Sequence, residues 1–368
     1  MNNINSDDMS QILPTKNHII GILGGGQLGK MTAMAAKKMG FLVFLYCPKG
    51  DNPAESVVDK VFHGSWSNKK KLDVFASRVS CVTSEFENIP SNVLDDMSKK
   101  TLVFPNSKTF KCAQFRDKEK SFASKAGFKV AKWYKIKSLK ELFKYAEKLK
   151  YNAILKTNSL GYDGKGQYEI KSKNEIKEVW EKINFCDCIL EEKISFKREI
   201  SILYARSSNL TDSFFPISHN FHQNGILKKT IAPGKIDDKI LNELKVLVKK
   251  LSDLFNLVGL LTVELFQLQD GTLIFNEIAP RPHNSYHWTI EGCEKSQFEI
   301  LVRCLCGFPI KDVKNYGSWI MHNLIGEEIN DLTDFINKQN HSYHIYGKKD
   351  VKDGRKMGHF TKKFNDFY

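Results

Sequence analysis

Two apolar stretches, LLTVELF at residues 260–266 and LIFNEIAPRPHN at residues 273–284, decide how the centre of this chain folds. Asp270-Gly271 lies between them and is typical of a tight hairpin turn. Two strands joined by such a turn place Glu264 beside Glu277. Neighbouring carboxylates repel each other unless a cation bridges them, and hard oxygen ligands suit Mg²⁺ that carries substrate phosphates. The hairpin therefore predicts a metal site.

A glycine-rich run, GYDGKGQ at residues 161–167, lies upstream of the hairpin and follows a short apolar strand that ends at Lys156. Backbone N–H groups next to glycine close over phosphates, and a lysine supplies a point charge. A long hairpin loop without a ligand is the alternative, but it does not explain the lysine before the run. A metal site and a phosphate-binding flap together predict ATP chemistry.

The N-terminal region begins a doubly wound, parallel sheet. A strand at 18–23 leads through the turn GGGQLG at 24–29 into a helix at 30–39, and a second strand follows at 41–46. The turn matches the dinucleotide-binding pattern, yet the second strand ends at Cys47, before any ribose-binding acid. We therefore expect a substrate phosphate at the turn, held by helix N-terminal amides, rather than NAD.

Downstream, the hydrophobic periodicity predicts an α+β lobe that contains the carboxylate hairpin. We expect a second hairpin that joins 214–217 to 227–230. The other expected elements are helices at 111–125, 174–183, 237–255 and 295–306, and strands at 79–83, 102–105, 127–133, 153–157, 168–172, 187–193 and 199–205. The expected division is a flexible leader at 1–16 and domains at 17–112, 113–307 and 308–368.

Composition limits the class of protein. The 368 residues are 41% hydrophobic and carry a formal net charge of +14, but the lysines are dispersed among acidic residues, which favours anionic substrates over nucleic acid. The eight cysteines include no C-x-x-C pair, so they read as small core residues rather than a zinc ribbon. No signal peptide and no apolar run of about 18 residues is visible, so we expect a cytoplasmic protein without a membrane partner.

Four polar clusters remain open on local sequence alone. EFEN at 85–88 follows a buried strand, where it is either a ligand site or an acidic start to a helix. ILEEKI at 189–194 is either an adenine-binding hinge or, more simply, a strand with exposed acids. The polar residues in PRPHN at 280–284 and the basic run GRK at 354–356 favour an anion site, with a basic turn as the alternative for the latter.

In their order along the chain, these motifs resemble the N5-carboxyaminoimidazole ribonucleotide synthetase family, which are ATP-grasp enzymes of purine biosynthesis. The resemblance spans about residues 18–360 and also includes HQNGIL at 222–227. It implies an α/β fold with a Rossmann-like N-terminal domain, a central α+β ATP-grasp domain and a small, mostly β C-terminal domain. It also implies a homodimer.

The resemblance implies ATP- and bicarbonate-dependent carboxylation of 5-aminoimidazole ribonucleotide through carboxyphosphate, with ADP and phosphate as products. Two Mg²⁺ ions would lie at Glu264 and Glu277. The implied ATP-binding residues are Arg116, Lys156, Gly161, Tyr162, Asp163, Gly164, Lys165, Gly166, Gln167, Glu191, Glu192, Lys193, Ile194, Glu199, His222, Asn276 and Glu277. The implied substrate-binding residues are Gly26, Gln27, Leu28, Glu85, Asn284, Arg355 and Lys356, and the implied catalytic residues are Tyr162, Asp163, Arg281, His283 and Lys356.

Within this set, the resemblance implies that Lys156 meets the phosphates, 191–194 form the adenine hinge and Glu199 holds the ribose. Either Glu85 or Glu87 would face the ribonucleotide. The alternatives are a formate-using relative with the same ATP chemistry, a non-catalytic nucleotide-binding or nucleic-acid-binding protein, and an NAD enzyme.

Three positions depart from the usual pattern. Ala279 replaces an asparagine common in other ATP-grasp enzymes, Lys165 replaces a frequent arginine of the flap, and Cys47 replaces the usual acid after the second strand. The first departure agrees with the carboxyaminoimidazole branch. The second keeps the charge but loses bidentate geometry.

Overall fold

Three β-sheets organise the chain in a computed structural model that describes residues 18–161, 166–184, 186–331, 336, 338 and 340–364. The expected leader at 1–16 and the flap residues Tyr162, Asp163, Gly164 and Lys165 lie outside the described residues. Among the described residues, no helix combines the length and the apolar character that crossing a membrane requires.

The N-terminal sheet is parallel, with strand order β3-β2-β1-β4-β5. This order confirms the predicted doubly wound, Rossmann-like domain. The strands are β1 (Ile19–Leu23), β2 (Leu42–Cys47), β3 (Lys60–His63), β4 (Cys81–Ser84) and β5 (Leu102–Val103), and the helices are α1 (Gln27–Lys38), α2 (Lys69–Ala76) and α3 (Ser91–Met97). β1 is almost wholly buried, as expected for a strand of a sheet covered on both faces.

The second sheet is antiparallel, four-stranded and ordered β6-β9-β7-β8. Two helices precede it and two others belong to its lobe. Its strands are β6 (Trp133–Ile136), β7 (Ala153–Thr157), β8 (Gln167–Ile170) and β9 (Cys188–Glu192), and the four helices are α4 (Ser107–Ala113), α5 (Arg116–Ala126), α6 (Leu139–Lys148) and α7 (Ile176–Lys182).

The third sheet runs in the order β15-β14-β10-β12-β13-β16-β18-β17, with β11 beside β10. Its strands are β10 (Arg198–Arg206), β11 (Asp212–Phe214), β12 (Ser218–Gln223), β13 (Ile226–Ala232), β14 (Gly259–Gln267), β15 (Leu273–Ala279), β16 (Ser318–Ile325), β17 (His341–Ile345) and β18 (Lys356–Phe364). Its helices are α8 (Asp238–Phe255), α9 (Thr289–Gly292) and α10 (Gln297–Leu305). The small C-terminal β domain therefore continues the central sheet through the pairing of β13 with β16.

The predicted helix over 111–125 is wrong, because the chain forms two helices that break before Arg116. Asn158 holds the start of the second helix: its carbonyl accepts a hydrogen bond from the Arg116 N–H at 2.9 Å, and its side-chain oxygen accepts one from the Asp117 N–H at 3.0 Å. A residue 41 positions away in sequence thus starts this helix. The predicted strand at 127–133 is also wrong, since β6 begins only at Trp133.

The predicted hairpin between 214–217 and 227–230 is wrong as well. β11 pairs with β10, whereas the hairpin joins β12 to β13 through Asn224-Gly225. Asn224 and Gly225 both have positive φ angles, of 52° and 78°, as a tight hairpin turn requires. The Asn-Gly pair was therefore the local signal for this hairpin.

Helix α8 illustrates how the third sheet is packed. Asp237 begins it by accepting hydrogen bonds from the N–H groups of Lys239 and Ile240, and Asn256 ends it in the left-handed conformation. Leu244 is 1% exposed and belongs to the core between this helix and the sheet, whereas Val246 on the opposite face is 52% exposed. The apolar stripe buries one face of the helix, as the predicted periodicity requires.

Leu244→Ala should lower the free energy of unfolding by about 2–5 kcal/mol, because it leaves a cavity in this core. Val246→Ala in the same helix should change it by less than about 0.5 kcal/mol. Urea unfolding followed by circular dichroism measures both. Equal effects of the two substitutions would contradict the packing.

Candidate active site

A cavity of about 1000 Å³ lies where the three sheets meet. It collects residues that are far apart in sequence, and many of them are predicted site residues. The predicted residues that line it are Gln27, Leu28, Glu85, Arg116, Lys156, Gly161, Gln167, Glu199, His222, Glu264, Asn276, Glu277, Arg281, His283, Asn284, Arg355 and Lys356. Those that are described but lie outside the lining are Gly26, Gly166, Glu191, Glu192, Lys193 and Ile194.

Glu264 and Glu277 are direct partners in the register of β14 and β15, as the hairpin predicts. Each carboxylate also contacts a basic side chain. His283 Nε2 lies 3.0 Å from an oxygen of Glu264, and Arg116 Nη1 lies 3.2 Å from an oxygen of Glu277. Burial raises the pKa of Glu264, but His283 outweighs this effect and the pKa falls to about 2. Glu264 is therefore ionised and available as an oxygen ligand.

The loop after β15 is held rigidly, and this orients His283. The His283 N–H donates to Gln297 Oε1 at 2.8 Å, and the ring Nδ1 lies 2.8 Å from Ser285 Oγ. Asn284 donates from its side chain to Asn323 Oδ1 at 2.9 Å, which ties the loop to β16. The imidazole Nε2 is thereby directed at Glu264.

A buried ion network lies behind the cavity wall. Glu191 contacts Lys120 and Lys156, and all three side chains are less than 8% exposed. Burial raises the pKa of Glu191, but the two lysines outweigh it and lower the pKa to about 2. Two ammonium groups share one carboxylate, so the trio carries one net positive charge. Because Lys156 reaches the cavity lining, this charge favours an anion there.

This network and its neighbouring contacts involve residues 191–194, for which the resemblance implies an adenine hinge. The Glu191 side chain is engaged with two lysines, and the N–H groups of Glu192 and Lys193 donate to Lys132 O and Asn152 O at 2.8 and 3.0 Å. Lys193 Nζ also pairs with Glu169 at 2.5 Å. The adenine-hinge role of this segment stays a prediction, and it would fall to the backbone groups that these contacts leave over.

Glu199 and His222 form an ion pair on neighbouring strands β10 and β12. The register of β12 with β13 shifts between Phe221 and His222, and such an irregularity re-aims a side chain. Burial lowers the pKa of His222, but the hydrogen bond that its ring donates to Glu199 outweighs this effect and the pKa is raised. The pair presents both partners to the cavity.

The glycine turn binds a carboxylate of the chain itself. Glu85 accepts hydrogen bonds from the N–H groups of Gly26 and, at 2.9 Å, of Gly29. A Cβ at position 26 would lie 2.5 Å from Glu85 Oε1, which explains the glycine there. The expected substrate phosphate is therefore not accommodated at these amides unless Glu85 leaves. Glu87 instead pairs with Arg281 at 2.5 Å, so the two acids of this motif have different partners.

The basic run after β17 also lines the cavity. Arg355 pairs with Asp51 at 2.9 Å, and the Lys349 N–H donates to Asp51 at 3.0 Å, so the N-terminal domain anchors this run. Burial and the neighbouring Arg355 lower the pKa of Lys348 to about 8. Lys348 and Lys352 line the cavity beside Arg355 and Lys356, which adds positive charge at this wall.

Sequence reasoning missed Lys120, Glu119, Asn158 and Lys348. Glu119 is buried on α5 and accepts a hydrogen bond from the Ile278 N–H at 3.0 Å. Burial and the nearby Glu277 raise the pKa of Glu119 to about 8. No local pattern marks Lys120 and Glu119, because only the packing of α5 shows that both lie on the buried face of this charged helix.

Three family models match successive parts of the chain. The ribonucleotide synthetase preATP-grasp domain matches residues 17–114, the ATP-grasp domain matches residues 121–298, and the phosphoribosylaminoimidazole carboxylase C-terminal domain matches residues 320–366. Their order agrees with the three parts of the fold.

A relative named N5-carboxyaminoimidazole ribonucleotide synthase from Bacillus subtilis is 38% identical over 96% of this chain and 93% of its own length. The chain belongs to the N5-carboxyaminoimidazole ribonucleotide synthase family. It is also 38% identical over 93% of its length to a bifunctional purine synthesis protein of Dictyostelium discoideum, of which it spans 36%.

Solved structures of the family agree with this fold. The N5-carboxyaminoimidazole synthetase of Staphylococcus aureus, complexed with ADP, has a TM-score of 0.91 and 36% identity, with 95% of this chain and 94% of that chain covered. The Aspergillus clavatus synthase, in complex with ADP and 5-aminoimidazole ribonucleotide, has a TM-score of 0.87 and 26% identity, with 95% of each chain covered.

Glu191→Gln should lower the free energy of unfolding by about 3–5 kcal/mol, because it leaves two buried ammonium groups without their counter-charge. Glu192→Gln, at the next and less buried position, is the matched control and should have little effect. Thermal or urea unfolding measures both. A Glu191→Gln protein as stable as the Glu192→Gln protein would contradict the network.

The same network gives a pH dependence with a definite sign. The pKa of Glu191 is about 2 in the folded chain, below its ordinary value of 4.5, so its contribution is present above pH 4.5 and is lost as pH falls toward 2. The stability difference between wild type and Glu191→Gln should therefore shrink below about pH 4.5. A constant difference down to the acid unfolding transition would refute this assignment.

Proposed function

We propose that this chain uses ATP and bicarbonate to carboxylate 5-aminoimidazole ribonucleotide, with ADP and phosphate as the other products. The observation that carries the proposal is the cross-strand pair Glu264 and Glu277, flanked by Arg116 and His283, on the wall of a cavity of about 1000 Å³. The reaction forms a C–N bond, as expected for an ATP-grasp ligase of this family.

The donor set at this pair fits Mg²⁺. Two carboxylates face each other across the strands, and the Asn276 amide lines the same cavity, so the ligands are hard oxygens. Bound Mg²⁺ would supply Lewis-acid charge to the phosphates of ATP. Arg116 contacts Glu277 and His283 contacts Glu264, so each carboxylate of the pair has a basic partner.

The cationic side of the cavity would hold the nucleotide phosphates. Lys156 lines the cavity, and its ammonium contacts Glu191, which Lys120 also contacts from behind the wall. Glu199 and His222 lie on the adjoining wall, where a carboxylate accepts hydrogen bonds from ribose hydroxyls. Gly161 and Gln167 bound the flap at 161–167, which would cover the phosphates and exclude water.

Bicarbonate attacks the terminal phosphorus of ATP, and ADP leaves, so that carboxyphosphate forms. Its breakdown gives CO₂ and phosphate, and the exocyclic amine of the ribonucleotide then attacks CO₂ and loses a proton. Arg281 and His283 would position the anionic intermediates. Asp163, which lies outside the described residues, would orient the amine or take its proton. Tyr162 would cover the same site.

The ribonucleotide phosphate would bind the basic wall made by Arg355, Lys356 and Lys348 rather than the glycine turn, whose amides already hold Glu85. Gln27, Leu28, Glu85 and Asn284 would line the rest of the ribonucleotide site. The occupied turn also argues against the NAD alternative, because a pyrophosphate would need those amides. The dispersed lysines argue against nucleic acid.

We further propose two Mg²⁺ ions, a homodimer and a cytoplasmic location, with domain limits at 17–112, 113–307 and 308–368. The eight cysteines, none of them in a disulfide, suit a reducing compartment. Light scattering of the purified protein tests the dimer: a mass equal to one chain across the accessible concentration range would exclude it.

ADP release from Mg²⁺-ATP should depend on both bicarbonate and 5-aminoimidazole ribonucleotide, because phosphoryl transfer and carboxylation are coupled in one cavity. The coupled assay is run with each substrate omitted, and with formate in place of bicarbonate. ADP release indifferent to the ribonucleotide would leave the ATP chemistry but reject the acceptor. Preference for formate would favour the formate-using alternative, and no release from folded protein would favour a binding protein.

Glu264→Gln should lower kcat at least about 100-fold, because an amide replaces one anionic metal ligand in a role worth several kcal/mol. Asp270→Asn, in the exposed turn of the same hairpin, is the matched control and should retain activity. Circular dichroism verifies that both variants fold. Substantial turnover of Glu264→Gln at saturating Mg²⁺ would count against the metal role.

Arg355→Ala should raise the KM for the ribonucleotide about tenfold or more, since it removes a charge-assisted contact with the phosphate. Lys363→Ala, an exposed lysine on β18, should leave this KM unchanged. Steady-state kinetics with the ribonucleotide varied at saturating ATP measures both. Equal KM values for the two variants would place the phosphate elsewhere.

A further inference from the structure

A second group of possible metal ligands lies at the carboxyl ends of β2 and β3, outside the cavity lining. Cys47 ends β2 and His63 ends β3, and the parallel register makes the two residues direct partners. Glu55 lies in the short 3-10 helix Pro53–Val57 that connects these strands. The topology thus brings a thiol, an imidazole and a carboxylate to one place.

The donor atoms of this trio lie within 4.8 Å of one another. Cys47 Sγ is 3.8 Å from Glu55 Oε1 and 4.0 Å from His63 Nδ1, and His63 Nε2 is 3.8 Å from the same Glu55 oxygen. Tetrahedral Zn²⁺ bonds of about 2.0–2.3 Å imply donor separations of about 3.3–3.6 Å. Only one imidazole nitrogen can bind the ion, so the three donor separations, all within 4.8 Å, would shorten by up to about 1.5 Å when an ion binds.

Access and burial also suit an ion. Cys47 is fully buried, whereas the side chains of Glu55 and His63 are each 34% exposed. An ion would enter from the solvent side, meet the carboxylate and the imidazole, and reach the thiol last. The exposed side also leaves room for a water molecule as the fourth ligand.

A nucleophilic role fits these residues less well. Burial, followed by the charge of Glu55, raises the pKa of the Cys47 thiol to about 12, so the free thiol is not an activated thiolate. The contacts between the sulfur and its neighbours are also long for hydrogen bonds. A bound cation would offset the negative charge of Glu55 and would displace the proton of the Cys47 thiol.

We propose that Cys47, Glu55 and His63 bind one Zn²⁺ ion, with water in the fourth position. Sulfur and imidazole ligands favour Zn²⁺ or Co²⁺ over Mg²⁺, so this site differs in chemistry from the all-oxygen pair Glu264 and Glu277. The Cys47 proton leaves when the ion binds, and Zn²⁺ affinity therefore rises with pH.

The site adjoins the glycine turn of the cavity. Asn52 donates from its side chain to Glu55 Oε1 and to Pro48 O, both at 2.8 Å. The Asn52 side chain also lies where a Cβ at Gly25 would be, at 2.5 Å, and the Ala54 N–H donates to Gly25 O at 2.9 Å. A bound ion would restrain this loop against the turn, so Zn²⁺ should raise the thermal unfolding midpoint of the intact chain.

The test is Co²⁺ titration of the full-length, metal-free protein with excess Mg²⁺ present to occupy the all-oxygen site. A thiolate-to-cobalt charge-transfer band that saturates at one equivalent and is displaced by Zn²⁺ is expected. Cys47→Ser should abolish the band, and His63→Gln should weaken Co²⁺ affinity at least about 100-fold. His63→Gln serves as the second probe if Cys47→Ser does not fold, since His63 is partly exposed.

Two control variants separate this site from other thiols. Cys81→Ser removes a fully buried thiol from the same sheet, and Cys186→Ser disrupts the Cys186–Cys188 pair, whose sulfurs lie 3.6 Å apart. Both should keep the band. No band in the wild-type protein would overturn the proposal, as would a band that survives Cys47→Ser or is lost in either control.

Discussion

Two like-charged carboxylates, Glu264 and Glu277, are held opposite each other on adjacent strands, and the surrounding structure depends on this constraint. Their repulsion is offset by His283 at 3.0 Å and Arg116 at 3.2 Å. Each of these side chains is itself fixed from a distance, because Gln297 orients the histidine loop and Asn158 starts the helix that carries Arg116. An ion that binds between the carboxylates would therefore enter a site whose ligands are already oriented, which reduces the ordering cost of binding.

The cavity separates charge into an acidic and a basic part. Lys120 and Lys156 share one carboxylate, that of Glu191. The three side chains together therefore carry a net positive charge behind the cavity wall. A second basic wall surrounds Arg355, which is anchored on the N-terminal domain by Asp51. The carboxylate pair lines the same cavity. This arrangement suits a substrate set that combines phosphates, a divalent cation and a small anion, and it explains why all three sheets contribute to one site.

Local sequence chemistry predicted the carboxylate hairpin, since strand length, Asp270-Gly271 and the register are all local properties. It also predicted the parallel N-terminal sheet. It failed at the helix over 111–125, because the break depends on hydrogen bonds from the distant Asn158. It misplaced the second hairpin, because the apolar run at 214–217 has the pattern of a strand, whereas Asn224-Gly225 joins β12 to β13 and β11 pairs with β10.

By itself the amino-acid sequence determined the family, the three-part α/β fold and the pair Glu264 and Glu277, because motifs, alternation and turn residues are encoded over short stretches. Only the tertiary structure decided which charges neutralise one another. The Lys120–Glu191 contact spans 71 positions and the Glu85–Gly29 contact spans 56, so neither leaves a local pattern. The physical reason is that ion pairs, and hydrogen bonds from backbone N–H groups to a distant carboxylate, depend on three-dimensional proximity and burial. These arise only when separate sheets pack together.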